Sequence, residues 1–168
     1  TPGNGEQTLA QEVASLVQWQ RKLHAGGWVG AHWPKEYGGR GATVVENYLF
    51  QEEMARARAP EIINRIGVNL VGPTLITHGS EAQKQRYLSK ILGAEEIWCQ
   101  LFSEPDAGSD TTQLRTTAVK KGDRYVVNGR KMFISRVLQS DMMLLLARTT
   151  PADQVKRRTE GLSVFLID

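Results

Sequence analysis

One stretch, Gln100-Leu101-Phe102-Ser103-Glu104-Pro105-Asp106-Ala107-Gly108-Ser109-Asp110, concentrates groups able to hold a ligand. Pro105 fixes φ and removes a donor, Gly108 permits positive φ, and Ser103, Ser109 and Asp110 carry short side chains that bond to nearby backbone. The apolar run over 97–102 reads as a buried strand. A loop of small residues at its end can turn several amides toward one ligand and lets a flat or phosphorylated molecule approach the backbone. A second stretch, Met132-Phe133-Ile134-Ser135, sets an aromatic ring beside a hydroxyl. That pair suits the face and polar edge of a planar heterocycle, and it equally describes a half-buried strand.

Other chemistries find less support. There is no Ser-His-Asp set in a familiar order and no glycine-rich loop of the Rossmann or P-loop kind. The single cysteine, Cys99, excludes an internal disulfide framework and a cysteine-rich zinc site, and its apolar surroundings predict a buried, inert thiol. His24, His32 and His78 have no partners at metal-ligand spacing. The net charge of +3 and pI of about 9.1 are mildly basic. Only Lys156-Arg157-Arg158 forms a basic run, read as a solvated turn rather than a phosphate contact, and basic residues interleaved with exposed aromatics are absent, so no nucleic-acid partner is expected. No apolar run approaches the roughly 18 residues of a membrane span, and no secretory leader is evident. The expected location is intracellular, in the cytoplasm.

The elements that must position these groups follow from periodicity. Residues 1–5 read as a flexible lead-in that places the natural amino terminus further upstream, and a helix is expected from near Glu6, burying Leu9, Val13, Leu16, Val17, Gln20 and Leu23 until Gly26-Gly27. An irregular, glycine-rich connection over 28–41 carries Trp28, Trp33 and Tyr37 as expected core anchors. Thr43-Val44-Val45-Glu46 is a capping box opening a helix to about Ala59, and a third helix is expected over 61–77, weakened by Gly67, Gly72 and Pro73, where another backbone or a ligand would approach. Ser80-Glu81-Ala82-Gln83 caps a further helix ending at Gly93. The texture then turns to period two. Strands are expected over 115–120 and 124–127 around Gly122-Asp123, then 130–135, 142–148 and 162–167, with Asn128-Gly129 as the strongest hairpin signal. The resulting fold class is α+β: an all-α amino-terminal domain over 1–96, then an incomplete antiparallel β-barrel-like domain over 97–168.

Ser-Glu-Pro-Asp-Ala-Gly-Ser-Asp followed some twenty residues on by Asn-Gly-Arg-Lys-Met-Phe-Ile-Ser resembles the acyl-CoA dehydrogenase family. Trp33-Pro34-Lys35-Glu36-Tyr37-Gly38-Gly39-Arg40-Gly41 and His78-Gly79-Ser80-Glu81-Ala82-Gln83-Lys84 resemble its helical domain in the same order, so the likeness covers nearly the whole chain. The resemblance implies FAD as cofactor and α,β-dehydrogenation of an acyl-CoA thioester, with hydride passing to the flavin. It implies that Gln100, Phe102, Ser103, Ser109, Phe133 and Ser135 line the flavin, Ser109 contacting ligand, Phe133 lying against the ring system and Ser135 near its reactive nitrogen. Asn64, Arg65 and Asn69 are candidates for shaping the far end of the acyl pocket, with ordinary surface positions as the alternative reading.

Two departures stand out: Arg136-Val137 follows Ile134-Ser135 where the family often has Asn-Gly, and Asp106 replaces a frequent glycine. The family's glutamate base lies on a carboxy-terminal helical domain with no counterpart before Asp168, and Glu104 is expected to hold backbone amides instead of serving as base. The chain therefore reads as an amino-terminal part of an acyl-CoA dehydrogenase, inactive alone, whose parent uses an electron-transfer flavoprotein as acceptor and forms a homo-oligomer. An acyl-CoA oxidase, or a short non-catalytic protein binding flavin or acyl-CoA, is the alternative.

Overall fold

The computed structural model describes residues 8–168. The expected lead-in over 1–5 and the helix start near Glu6 lie outside the described residues. The chain divides into two compact units, one ending at Trp98 and the other spanning Cys99–Asp168.

In the first unit, helix ends are set by local chemistry. Thr8 caps α1 (Leu9–Ala25), Thr43 caps α2 (Val44–Arg56) and Ser80 caps α4 (Glu81–Leu92), each through a reciprocal box with Gln11, Glu46 or Gln83. Each box satisfies two amides that a helix start would otherwise leave bare. Val13, Leu16 and Val17 of α1 pack on a core of Ile63, Ala94 and Ile97. Gln20, also on α1 and fully buried, donates to the carbonyls of Ile91 and Leu92 at 3.0 Å and accepts from the Asn64 amide at 3.0 Å.

The third helical segment departs from a straight helix where its glycines and proline fall. Gly67–Val71 is a π turn leading into α3 (Gly72–His78), and the Gly72 amide reaches back to the Gly67 carbonyl. Continuing that pattern, residue 73 would bond to Val68, but Pro73 has no N–H. The Trp33 indole takes the freed Val68 carbonyl instead, at 3.0 Å. A Cβ on Gly72 would overlap the Trp33 ring, so the close approach predicted at Gly72 is made by a side chain. Trp33 is thus a core anchor. Trp28 is not: it is 41% exposed, because it stacks on Phe50 at the surface of the unit.

The second unit is a five-stranded open sheet of β1 (Trp98–Leu101), β2 (Thr117–Lys121), β3 (Arg124–Asn128), β4 (Met142–Arg148) and β5 (Leu162–Ile167). β4 is its hub. It pairs antiparallel with β5 from Met143–Ile167 to Arg148–Leu162, and its end meets the start of β2 in a parallel register, Arg148 with Thr117. The sheet is therefore mixed, where all pairs were expected to be antiparallel. β2 and β3 form a hairpin around Gly122-Asp123, leaving β3 at the edge of the sheet with every residue exposed. Ala118, Leu145 and Ala147 make a core against Leu101, Phe165 and Ile167. Cys99 is buried here, and burial raises its thiol pKa, as expected of an inert cysteine.

The strand expected over 130–135 does not form. Phe133 and Arg136 both adopt left-handed backbone, at φ 57° and 62°, which a strand cannot accommodate. Asn128-Gly129 closes no hairpin either. Gly129 passes so close to Thr116 that a Cβ there would collide with it, so this glycine permits strand contact and makes no turn.

Candidate functional site

The loop that follows β1 is built around Glu104. Its amide donates to the Ala107 carbonyl at 2.8 Å and the Ala107 amide returns to the Glu104 carbonyl at 3.2 Å, so Pro105 and Asp106 sit in a tight turn. The buried Glu104 carboxylate accepts from the amides of Arg115 and Thr116 at 2.6 and 3.1 Å and from the Lys131 ammonium at 2.8 Å. Burial alone would raise its pKa, but Lys131 and the two amides more than reverse this and hold it at about 2. Glu104 is thus a fixed anion that organises backbone, and its oxygens are already engaged.

The same ammonium joins the two stretches singled out in the sequence. Lys131 Nζ also donates to the Phe102 carbonyl at 3.0 Å, and the Met132 amide donates to the Ser103 carbonyl at 3.0 Å. The residues after β1 are thereby aligned with those that precede Phe133. Phe102 and Ser103 are half-buried on one arm, with Gln100 half-buried in β1; Phe133 and Ser135 are exposed on the other. Phe133 is 85% exposed, and Leu138, five residues on, is 84% exposed. Holding a large ring in left-handed backbone costs on the order of 1 kcal/mol.

Further along the loop, Ser109 is exposed and Gly108 has open space where a side chain would stand. Asp110 caps a short 3-10 turn, Thr111–Gln113, and bonds from Thr112 and Gln113 lower its pKa. Arg148 fixes the outer end of this loop. Its guanidinium, on a residue only 6% exposed, donates to the carbonyls of Thr112, Glu160 and Arg158 at 3.0, 3.1 and 3.3 Å. Lys131 and Arg148 were missed as site-building residues. The one available signal was a cation placed directly beside apolar sequence.

Asn64 and Asn69 belong to the helical unit. Asn64 is wholly buried: its Nδ2 donates to the carbonyls of Ile91 and Glu96 at 3.1 and 2.7 Å, and its Oδ1 accepts from the Trp98 amide at 2.9 Å. It locks the fold and presents no polar group to a substrate. Asn69 and Arg65 do line a cavity of about 360 Å³ in this unit. Among the described residues no cluster of three metal-ligating side chains occurs, and no helix is long and apolar enough to cross a membrane.

Comparison with known proteins places these arms in context. The model described as Acyl-CoA dehydrogenase, N-terminal domain, matches residues 6–95, and the model described as Acyl-CoA dehydrogenase, middle domain, matches residues 99–168. The chain is 43% identical to acyl-CoA dehydrogenase IpdE1 of Mycobacterium tuberculosis over 99% of its own length and 41% of that protein. Among solved structures, the Tcur3481-Tcur3483 steroid ACAD superposes with a TM-score of 0.81 at 37% identity, covering 90% of this chain and 38% of that one. A glutaryl-CoA dehydrogenase from Mycobacterium smegmatis in complex with FADH2 superposes at 0.72 with 25% identity, covering 92% and 39%. The chain spans about two fifths of the length of the curated relatives it matches, 41% and 43% for the first two.

Proposed function

Since the chain belongs to the acyl-CoA dehydrogenase family, we propose that it supplies the flavin-binding arms of an FAD-dependent enzyme that introduces an α,β double bond into an acyl-CoA thioester. The observation that carries this reading is Phe133, strained and 85% exposed, on an arm joined to Phe102 and Ser103 through Lys131 and Met132. The residues present fit a flavin: an uncovered aromatic face, hydroxyls at Ser103 and Ser135 for a polar edge, and a loop at Gly108 with no side chain in the way.

Bound flavin supplies the hydride acceptor. The chain's own residues orient and hold. Phe133 offers its ring to a planar partner, Gln100, Phe102, Ser103 and Ser135 flank it, and Ser109 offers a hydroxyl to the ligand. Glu104 does not serve as the base that removes the α-proton, because a carboxylate held near pKa 2 has almost no proton affinity at neutral pH. Asn69 sits at the acyl end. An electron-transfer flavoprotein as acceptor and a homo-oligomeric parent complete the proposal.

The test reads binding on this chain. FAD fluorescence is titrated with the protein, and saturable quenching is expected, with Phe133→Ala weakening affinity about tenfold, the value of one aromatic stacking contact. Absence of saturable quenching, or a Phe133→Ala variant that binds as tightly as the parent, would overturn the assignment.

A further inference from the structure

Lys131 and Glu104 are a costly pairing for the interior of a small sheet. Their side chains are 8% and 5% exposed, with the charged atoms 2.8 Å apart. Taking two charges out of water is so unfavourable that apolar side chains of similar size in their place are often neutral or stabilising. Stability alone therefore does not call for an ion pair here. What apolar side chains cannot do is hold backbone polar groups. Lys131 holds the Phe102 carbonyl, and Glu104 holds the amides of Arg115 and Thr116. The residues following β1, those entering β2 and the arm that leads to Phe133 are thereby tied at one point.

Phe133 supplies a reason for such a tie. Its φ of 57° is a conformation that L side chains avoid and that persists only where the surroundings impose it. The ring itself imposes nothing, because it is 85% exposed. The constraint comes through the backbone on either side. Downstream, the Gln139 amide and the Ser140 hydroxyl both donate to the Arg136 carbonyl, at 3.0 and 2.9 Å. Upstream, the Met132 amide donates to the Ser103 carbonyl, and the side chain that bridges these two backbones is Lys131. Every residue from 121 to 130 is exposed, so Lys131 is the first sheltered side chain on the way to Phe133.

We infer that Lys131 is a positioning residue of the flavin arm: it fixes the Phe102 and Met132 backbones so that Phe133 is held at positive φ with its ring presented, and Glu104 is kept as its counter-ion. In this role Lys131 touches no ligand. Only the identity of the ligand rests on the proposed function; the dependence of the arm on Lys131 belongs to the chain itself.

Native-state hydrogen exchange at the Met132 amide reads the arm without flavin. Lys131→Met keeps an unbranched stem and removes the ammonium. The Met132 amide should then exchange at least about tenfold faster relative to the amides of β4, the value of one lost hydrogen bond. Leu145→Ala, a cavity in the core of the same unit, supplies the pattern of a general loss of stability, in which both speed up together. Adding Glu104→Gln to Lys131→Met removes the stranded carboxylate. The urea midpoint should then rise again, while Met132 stays unprotected and FAD binds about tenfold more weakly than to the unsubstituted chain. Parallel acceleration of Met132 and β4 in Lys131→Met would overturn the inference. So would a double variant in which Met132 protection and FAD affinity return together with the midpoint. If the unsubstituted chain itself fails to quench FAD, the proposed function falls, and the Met132 amide still decides the role of Lys131.

Discussion

Glu104 and Lys131 form the one ion pair in which both partners are nearly sealed from solvent among the described residues, with side chains 5% and 8% exposed. A carboxylate whose pKa falls from 4.5 in the unfolded chain to about 2 in the fold stabilises the protein above the unfolded value and loses that contribution as pH falls through the folded one. The contribution is on the order of 3 kcal/mol. Urea unfolding followed from pH 6 to pH 2 should show stability falling across that window. Glu104→Gln should flatten this part of the profile and cost about 3–5 kcal/mol at pH 7, because it strands a buried ammonium. Phe133 predicts the opposite sign. Phe133→Gly relieves left-handed backbone and should raise thermal stability by about 1 kcal/mol while weakening flavin binding, a pairing that separates a ligand surface from a packing residue.

At the scale of elements, the helix starts and the turn at Pro73 make the clearest predictions. Thr43→Ala removes one half of the α2 capping box and should cost about 1 kcal/mol, visible as faster hydrogen exchange in the first turn of α2. Gly72→Ala forces a methyl into the Trp33 ring and should cost about 1–3 kcal/mol in urea unfolding. These features were legible in the sequence because they are local. Thr43 and Glu46 sit three residues apart, and Pro73 announces its missing donor by itself. The strands of the sheet unit were legible for the same reason, with 130–135 as the exception. There, alternation of Met132, Phe133, Ile134 and Ser135 imitates a strand, while Phe133 and Arg136 are turned to positive φ. The long-range partners were not legible. Nothing in the spacing links Lys131 to Glu104, 27 residues earlier, or Arg148 to Thr112, 36 residues earlier. Asn64 shows the converse, since the resemblance made it a candidate for the acyl end and only its burial reveals a structural lock.

Over the whole molecule, the two units carry separate cores, and the features assigned to flavin and to the acyl end fall in different units. The outer boundary of the sheet has a further consequence. β3 is an edge strand with Tyr125, Val126 and Val127 all more than two fifths exposed, and Val119 beside it on β2 is 52% exposed. Such an edge is a template for intermolecular strand addition. Lys120, Lys121 and Arg124 stand at its hairpin end with Asp123, whose carboxylate lies 3.5 Å from Arg124, so the hairpin end keeps a net positive charge that two copies approaching edge to edge would share. Such charges are expected to act as gatekeepers against strand addition. Replacing all three with alanine should leave the unfolding midpoint nearly unchanged yet accelerate light scattering during refolding from urea. Added salt should shorten the lag of the parent chain in the same way, by collapsing the repulsion that keeps neighbouring edges apart.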